Sequence, residues 1–139
     1  GFYGDSIANL NRLADVDVMV VSPTRDVVLL VEIEERGSSP KKIFGDAVTI
    51  LMCNQFAVGR GQAQENFAVA DDTRLIISGV MPDHGSRVDK IEQVAAPRFR
   101  EFSGLAGGIS PGNVDFAFAS SIDVVVSRLQ DMTVRLLLG

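Results

Sequence analysis

The sequence of 139 residues has little cysteine, no long apolar run and no excess of basic charge. Its single cysteine, Cys53, cannot close an internal disulfide and excludes a Cys-rich zinc site. The longest apolar runs, such as VVLLV at 27–31, are far too short to span a bilayer, so we expect no membrane partner. No basic start is followed by an apolar block, so we expect no signal peptide and a cytoplasmic protein.

The charge balance is acidic, because 18 Asp and Glu residues against 13 Lys and Arg residues give a formal net charge of −5. A protein that coats phosphate backbones nonspecifically is usually basic, so we do not expect a large nonspecific nucleic-acid surface. A local basic rim around a metal site remains compatible with this balance. With 46% hydrophobic residues, the chain has the composition of one globular domain with a sizeable core.

Hydrophobic periodicity and turn signals predict an alternation of helices and strands. Ser39 followed by Pro40 predicts a helix start, and Ser120 or Ser121 caps the last helix. The packed side of that last helix is predicted to be Ile122, Val125, Val126, Leu129, Met132 and Leu136. Helices are predicted at 5–14, 41–56, 86–95 and after Ser121, and strands at 15–22, 26–35, 66–70, 74–80 and 114–120. The alternation predicts an α/β or α+β fold with one central mixed β-sheet flanked by helices.

Four carboxylates, Asp15, Asp17, Glu32 and Glu34, lie at the far ends of two strands joined by the turn SPTRD. A two-residue turn and a four-residue loop at this turn give the same register. In that register Asp17 lies opposite Glu32, and Asp15 lies opposite Glu34. Side chains on a strand alternate with period two, so all four point to one face. A loop with an odd number of residues would place Asp17 on the other face.

Like charges directly opposite each other on adjacent strands are destabilising, and an apolar environment increases that cost. A divalent cation between the carboxylates reverses the sign of the interaction. Asp17, Glu32 and the carbonyl oxygen of Ile33 would supply oxygen ligands of the kind that Mg²⁺ takes. The alternative is that the strand ends emerge into solvent and the acids form a hydrated fringe.

Asp17, the turn and Glu32-Ile33-Glu34 resemble the active-site hairpin of the PD-(D/E)XK, or restriction-endonuclease-like, nuclease superfamily. The resemblance covers roughly residues 5–80. It implies an αβββαβ core, a single domain over 1–139 that is a whole protein or a fragment of a longer chain, and hydrolysis of DNA. It also implies a Mg²⁺ or Mn²⁺ cofactor held by Asp17 and Glu32. Glu34 stands where the superfamily usually has a Lys that positions the attacking water.

Lys41 and Lys42 would begin the helix after this motif, where a cation is unfavourable by ~0.3–1 kcal/mol. Two lysines at a helix N-terminus suit phosphate contact better than helix stability, and one of them would stand in for the missing motif Lys. The predicted catalytic set is therefore Asp17, Glu32, Glu34, Lys41 and Lys42. The alternative for the lysines is that both are solvated surface residues.

Two other functions remain open from the sequence. The first is a catalytically inactive interaction or scaffold module with a nuclease-like fold, which works as a homodimer or in a larger assembly. The net acidity and the absent motif Lys favour it. The second is a small-ligand binder that uses a pocket near His84 and the Gly-rich stretch 104–113.

Overall fold

A computed structural model describes residues 2–3, 12–59, 61–81, 85–104 and 107–139. Its strands are β1 (Phe2–Tyr3), β2 (Arg12–Ala14), β3 (Val18–Val21), β4 (Val27–Ile33), β5 (Gln55–Val58), β6 (Glu65–Ala68), β7 (Arg74–Val80) and β8 (Val114–Ala119). Its α-helices are α1 (Pro40–Leu51), α2 (Gly85–Asp89), α3 (Ala96–Arg100) and α4 (Ile122–Leu138), and a π-helical segment, Lys90–Ala95, joins α2 to α3. Within these residues, no helix has the length and apolarity needed to cross a membrane.

The central sheet has the strand order β3-β4-β7-β8. β3 and β4 form an antiparallel hairpin, whereas β4, β7 and β8 run parallel to one another. Parallel strands that are covered on both faces carry nearly continuous apolar sequence, and β7 (RLIISGV) is of this type. The predicted mixed α/β fold with a mixed sheet and helices is confirmed, and β7 has the predicted bounds.

Helices cover both faces of this sheet. On one face, Leu30, Ile77 and Phe116 pack with Ile43 of α1 and Phe99 of α3. The opposite face, which is covered by α4, is formed by Leu29, Val31, Ile76 and Ala117. Because side chains alternate along a strand, the even-numbered residues at the end of β4 continue onto the α1 face. This alternation places the two glutamates of the predicted motif between the sheet and α1.

The packed side of α4 was predicted correctly in part. Val125 is buried, and Leu129, Met132 and Leu136 pack against the sheet. Ile122 and Val126, however, are 60% and 43% exposed, so their assignment to the packed side was wrong. A helix turns by about 100° per residue, so when the side chain of Val125 points into the core, that of Val126 points to the side of the helix.

A second sheet, with the order β2-β1-β5-β6, was not predicted. Residues 12–14 form β2 rather than the end of a helix, and residues 5–11 of the helix predicted at 5–14 lie outside the described residues. α1 ends at Leu51 instead of continuing to residue 56, because Phe56 is buried in β5 and stacks on Phe67 of β6. The cross-strand pairing of these aromatic residues outweighs the apolar pattern that had suggested helix.

The helix predicted at 86–95 continues to Arg100 through a π-helical segment. Pro97 has no N–H to give to the carbonyl of Gln93, so regular α-helical bonding fails at this turn. The N–H of Ala96 instead reaches back to the carbonyl of Ile91, which is the wider π spacing. Pro97 therefore widens the helix and does not end it.

Candidate functional site

The β3-β4 hairpin decides which carboxylates face each other. Val21 pairs with Val27 across a connection of odd length, so both predicted turns were wrong. The connection is closed by a hydrogen bond of 2.9 Å from the N–H of Arg25 to the carbonyl of Ser22. A β-bulge between Val20 and Val21 then shifts the pairing by one residue.

Beyond the bulge, the hairpin has the register that was predicted. Val20 pairs with Leu29, and Val18 pairs with Val31. Asp17 lies just before the first recorded pair, and its charge acts on Glu32. The extra residue in the loop and the extra residue in the bulge compensate for each other, so the strand pairs keep the predicted register by a route that the sequence did not reveal.

Asp17 lies just before β3 and is exposed. Its Oδ2 accepts a hydrogen bond of 2.8 Å from the N–H of Ile33, and its own N–H donates to the carbonyl of Val31 at 3.2 Å. Asp17 therefore closes the end of the hairpin. Of Ile33, the structure uses the N–H in this contact, whereas the sequence had suggested its carbonyl oxygen as a metal ligand.

Glu32 is partly buried on the α1 side of β4. Burial first, and then the negative charges of Asp17, Glu34 and Asp46, together raise its pKa to about 7 against a smaller opposing effect of Lys42. The part of this shift that comes from the three acids reflects negative charge that Lys42 does not compensate. Such a site favours a positive ligand.

Glu34 is the most deeply buried acid of the group, with a side chain that is 1% exposed. Its Oε2 accepts a hydrogen bond of 3.1 Å from Nζ of Lys42, while its Oε1 is buried and has no hydrogen-bond partner in the described part of the chain. Burial raises the pKa of Glu34, and the bond from Lys42 lowers it. Gly79 of β7 makes this burial possible, because a Cβ there would lie 2.8 Å from Cε1 of Phe118 and 3.2 Å from Cβ of Glu34.

α1 begins immediately beside these acids. Ser39 caps it, as predicted, by accepting a hydrogen bond of 3.2 Å from the N–H of Lys42, and Pro40 occupies the first turn. Lys42 reaches the cluster, with its Nζ 3.1 Å from Glu34 and 2.9 Å from Asp46. Lys41 is exposed and makes no ion pair within the described residues. Of the two predicted lysines, the structure brings only Lys42 to the carboxylates.

Asp46 is a member of the cluster that sequence reasoning missed. It lies one helical turn after Lys42 in the segment KKIFGD, and its charge contributes to the raised pKa of both Glu32 and Glu34. The spacing of four residues between a lysine and an aspartate on a predicted helix was the signal available in the sequence. That signal could be used only once the face of α1 that meets β4 was known.

Asp15 differs from the other acids because it has a cation of its own. The guanidinium of Arg12 forms an ion pair with it and holds the pKa of Asp15 below its usual value. Together with Glu32 and Asp46, Asp15 lines a cavity of about 240 Å³. The apolar and hydroxyl-bearing part of the lining consists of Leu13, Ala14, Thr49 and Ile50. The cavity has room for several water molecules or for a hydrated cation.

The donor set fits a hard divalent cation in its chemistry. Carboxylate oxygens predominate, Oε1 of Glu34 has no partner, and Glu32 retains a proton that a cation would displace. In the arrangement described, Asp17, Asp46 and Asp15 are each engaged by another donor. No group of three or more His, Cys, Asp or Glu side chains converges as a metal site within the part of the chain that the structure describes.

A larger apolar groove lies elsewhere on the α1 side of the molecule. Its volume is about 650 Å³, and its walls include Phe44 and Met52 of the α1 region and Phe99 and Phe102 near α3. Gly104, from the predicted Gly-rich stretch, also lines it, whereas His84 lies outside the described residues. Among the described residues that line the groove there is no carboxylate, and none of them belongs to the acidic cluster.

Compared with protein-family models, with curated proteins and with solved structures, the chain finds no match. Its function must therefore be inferred from the acidic cluster and from the sheet that positions it.

Proposed function

We propose that this chain is a metal-dependent nuclease that hydrolyses DNA phosphodiester bonds. The observation that carries the proposal is the clustering of Glu32, Glu34 and Lys42 at the end of the β3-β4 hairpin, where Asp17 binds the N–H of Ile33 and its charge acts on Glu32. Acids from adjacent strands with one lysine among them are the groups that the predicted nuclease hairpin requires. Such a surplus of negative charge destabilises a fold, so its presence favours a role in binding a cation.

The strand order supports part of a restriction-endonuclease-like core. β3, β4, α1 and β7, with β7 parallel to β4, correspond to the ββαβ portion of the expected αβββαβ arrangement once β5 and β6, which lie between α1 and β7 and belong to the second sheet, are set aside. β2 belongs to the second sheet instead of the central one. We therefore base the proposal on the chemistry of the cluster, and the strand order adds to it.

The chain's own groups have separate roles in the proposed reaction. Mg²⁺ or Mn²⁺, when held by Asp17, Glu32 and the carbonyl of Ile33, would stabilise charge on the phosphoryl group and lower the pKa of a water molecule. Lys42 would donate a hydrogen bond to the attacking water or to a phosphoryl oxygen, in place of the motif lysine. Buried Glu34 would hold that ammonium group in place through its Oε2.

Exposed cations next to the cluster support a nucleic-acid substrate. Arg36 and Lys41 are exposed and follow Glu34 closely in the chain, so they lie on the same edge of the sheet. They would contact phosphates on either side of the scissile bond, and such contacts supply much of the affinity for DNA. A small local rim of this kind is consistent with a net charge of −5 over the whole chain.

The competing function is an inactive interaction or scaffold module of the same fold, working as a dimer or in an assembly. One observation favours it, namely that no three metal-binding side chains converge among the described residues. Under this alternative, Lys42 neutralises the cluster permanently. The two functions differ in whether a divalent cation stabilises the folded protein.

Thermal unfolding with and without Mg²⁺ or Mn²⁺ tests the proposal directly. A ligand present at 100 times its Kd stabilises the native state by about 2.7 kcal/mol. We expect stabilisation in the wild type and its loss in Glu32→Gln and Asp17→Asn. The Asn variant is preferable to Ala because it retains an acceptor for the N–H of Ile33. Binding requires ionised carboxylates, so the stabilisation should be larger at pH 8 than at pH 6.

Cleavage of plasmid and single-stranded DNA at millimolar Mn²⁺ is the companion measurement. The matched control is Asp72→Asn, since Asp72 is exposed in the turn before β7, at the opposite end of the parallel strands. We expect Glu32→Gln to abolish cleavage and Asp72→Asn to retain it. A wild type that neither cleaves DNA nor responds to either cation would establish the scaffold function instead.

A further inference from the structure

The surroundings of Lys42 are unusual for a lysine in the first turn of a helix. The unpaired N–H groups of a helix N-terminus repel a cation, yet the ammonium group of Lys42 lies there. Two carboxylates compensate for this position, Glu34 from β4 at 3.1 Å and Asp46 from the next turn of α1 at 2.9 Å. The side chain of Lys42 is 49% exposed, so water could replace either partner.

The order of Lys42 and Asp46 along α1 argues against a role in helix stability. An acid that precedes a lysine by four residues stabilises a helix better than the reverse order, because it also matches the helix dipole. Here the lysine comes first and lies at the positive end, while the acid follows it. The first turn of α1 has no acidic residue at all. The Lys42–Asp46 pair therefore contributes little to the stability of α1, and its position beside Glu34 indicates a role in the acidic cluster.

Asp46 also adds negative charge to a place that already has too much. Glu32 and Glu34 lie close enough for its charge to act on both. On electrostatic grounds alone, a neutral residue at position 46 would reduce the repulsion among the carboxylates. What Asp46 provides in return is a second anchor for the flexible side chain of Lys42, which loses much rotamer entropy when it is fixed.

We propose that Asp46 is a positioning residue that, together with Glu34, fixes the ammonium group of Lys42 for the reaction. The inference rests on the proposed nuclease function and adds to it a residue on α1 outside the hairpin motif. An ammonium group has three N–H donors, and Glu34 and Asp46 engage two of them. The third remains for the attacking water or a phosphoryl oxygen of the substrate.

The consequence for kinetics is specific. A misplaced catalytic group slows the chemical step while leaving binding of the ground state intact, and a displacement of about 1 Å can cost about 100-fold. We therefore expect Asp46→Ala, which removes the acceptor, to lower kcat by about 10- to 100-fold, with KM for DNA unchanged within about two-fold. Asp46→Glu, which restores a carboxylate on the same helix face, should recover most of kcat.

The test combines this kinetic measurement with NMR of the Lys42 side chain, assigned through its absence in Lys42→Arg. In the wild type, we expect the two ε-protons of Lys42 to be inequivalent because the side chain is fixed, and in Asp46→Ala we expect them to average together. The matched control is Asp89→Ala, since Asp89 accepts a hydrogen bond from Gln93 at the same spacing of four residues. This control should change neither the Lys42 signals nor kcat.

The two readouts separate the possible failures. Unchanged Lys42 signals in Asp46→Ala would overturn the positioning role, whatever the activity. A freed Lys42 with undiminished kcat would overturn its relevance to the reaction. A wild type that cleaves nothing, while Asp46→Ala frees Lys42, would reject the nuclease function and leave Asp46 as the residue that holds Lys42.

Discussion

The two ends of the parallel strands carry charge clusters of opposite design. At the start of β7 and β8, Arg74 donates to Asp115 at 2.8 Å, and Arg100 lies 3.7 Å from the same carboxylate. Arg74 also donates to Asn113, and Arg100 donates to the carbonyl of Val114. Two cations share one acid, and an amide and a main-chain carbonyl accept further hydrogen bonds, while Nε of Arg74 is buried without a partner among the described residues.

The carboxyl end of β4 has the opposite balance. Glu34 and Asp46 bind the ammonium group of Lys42, both act electrostatically on Glu32, and one oxygen of Glu34 has no partner among the described residues. The arginine end has two cations for one acid, whereas the acidic end has more acids than cations and a carboxyl, Glu32, whose pKa is raised to about 7. A fold tolerates surplus negative charge where a cation supplies the missing charge, so we propose that the acidic end is the functional one.

The largest stability effect should come from breaking the arginine cluster. Asp115 is 25% exposed, and its removal leaves two arginines without their shared acid. We expect Asp115→Ala to lower the free energy of unfolding by about 2–3 kcal/mol, which is less than for a fully buried pair because water reaches the site. Urea denaturation measures this loss. The control Asp72→Ala, in an exposed turn, should stay within about 0.5 kcal/mol of the wild type. Equal losses in the two variants would remove the structural half of the comparison.

The second-largest effect should come from the acidic end, which is expected to make the free energy of unfolding depend on pH. The pKa of Glu32 rises from its usual 4.5 to about 7 on folding. Between these values, the unfolded chain has lost the proton that the folded chain retains, so stability falls as pH rises. The full shift corresponds to about 3 kcal/mol, which solvent at this partly exposed side chain reduces to about 1–2 kcal/mol. The lowered pKa of Asp15 has the opposite effect on stability, which falls as the pH is lowered, and this effect is confined to pH values below the usual pKa of 3.8.

The measurement is urea denaturation at intervals from pH 4.5 to pH 7.5 without divalent cations. Glu32→Gln should flatten the decline, because the amide does not titrate, whereas the exposed Glu101→Gln should keep it. Saturating Mg²⁺ should also oppose the decline in the wild type by displacing the proton. A wild-type profile that rises over this interval would contradict an excess of negative charge at the acidic end.

The sequence predicted the features that depend on residues close together in the chain, and it missed those that depend on contacts between distant segments. Local signals were sufficient for the cap at Ser39, the bounds of β7 and the start of α4 at Ser121. They could not give the second sheet, because β5 exists only through its pairing with β1 and β6. The carboxylate register was obtained despite a wrong turn, because an odd loop and a bulge cancel.

The candidate site shows the same division. Glu32 and Glu34 share a face through strand periodicity alone, which the sequence carries. The choice of Lys42 over Lys41, and the addition of Asp46, required knowledge of which side of α1 meets β4. The arginine cluster joins residues that are 41 and 15 positions apart, on β7, α3 and β8, and no spacing in the sequence brings these residues together.

The smallest expected effect is the difference in stability between variants of the two neighbouring lysines, Lys41 and Lys42. It tests whether the acidic end depends on Lys42 in particular. Lys41 is exposed, so Lys41→Ala should change the free energy of unfolding by no more than about 0.5 kcal/mol. Lys42→Ala should be the more destabilising of the two at pH 8, because it leaves Glu34 buried beside Asp46 without a cation. Urea denaturation at pH 8 and pH 5 measures both variants, and the Lys42→Ala deficit should be smaller at the lower pH, because the raised pKa of Glu34 favours its neutral form as the pH falls. Equal stabilities of the two variants at pH 8 would mean that water solvates the carboxylates well enough without Lys42. The acidic end would then show no need for a bound cation.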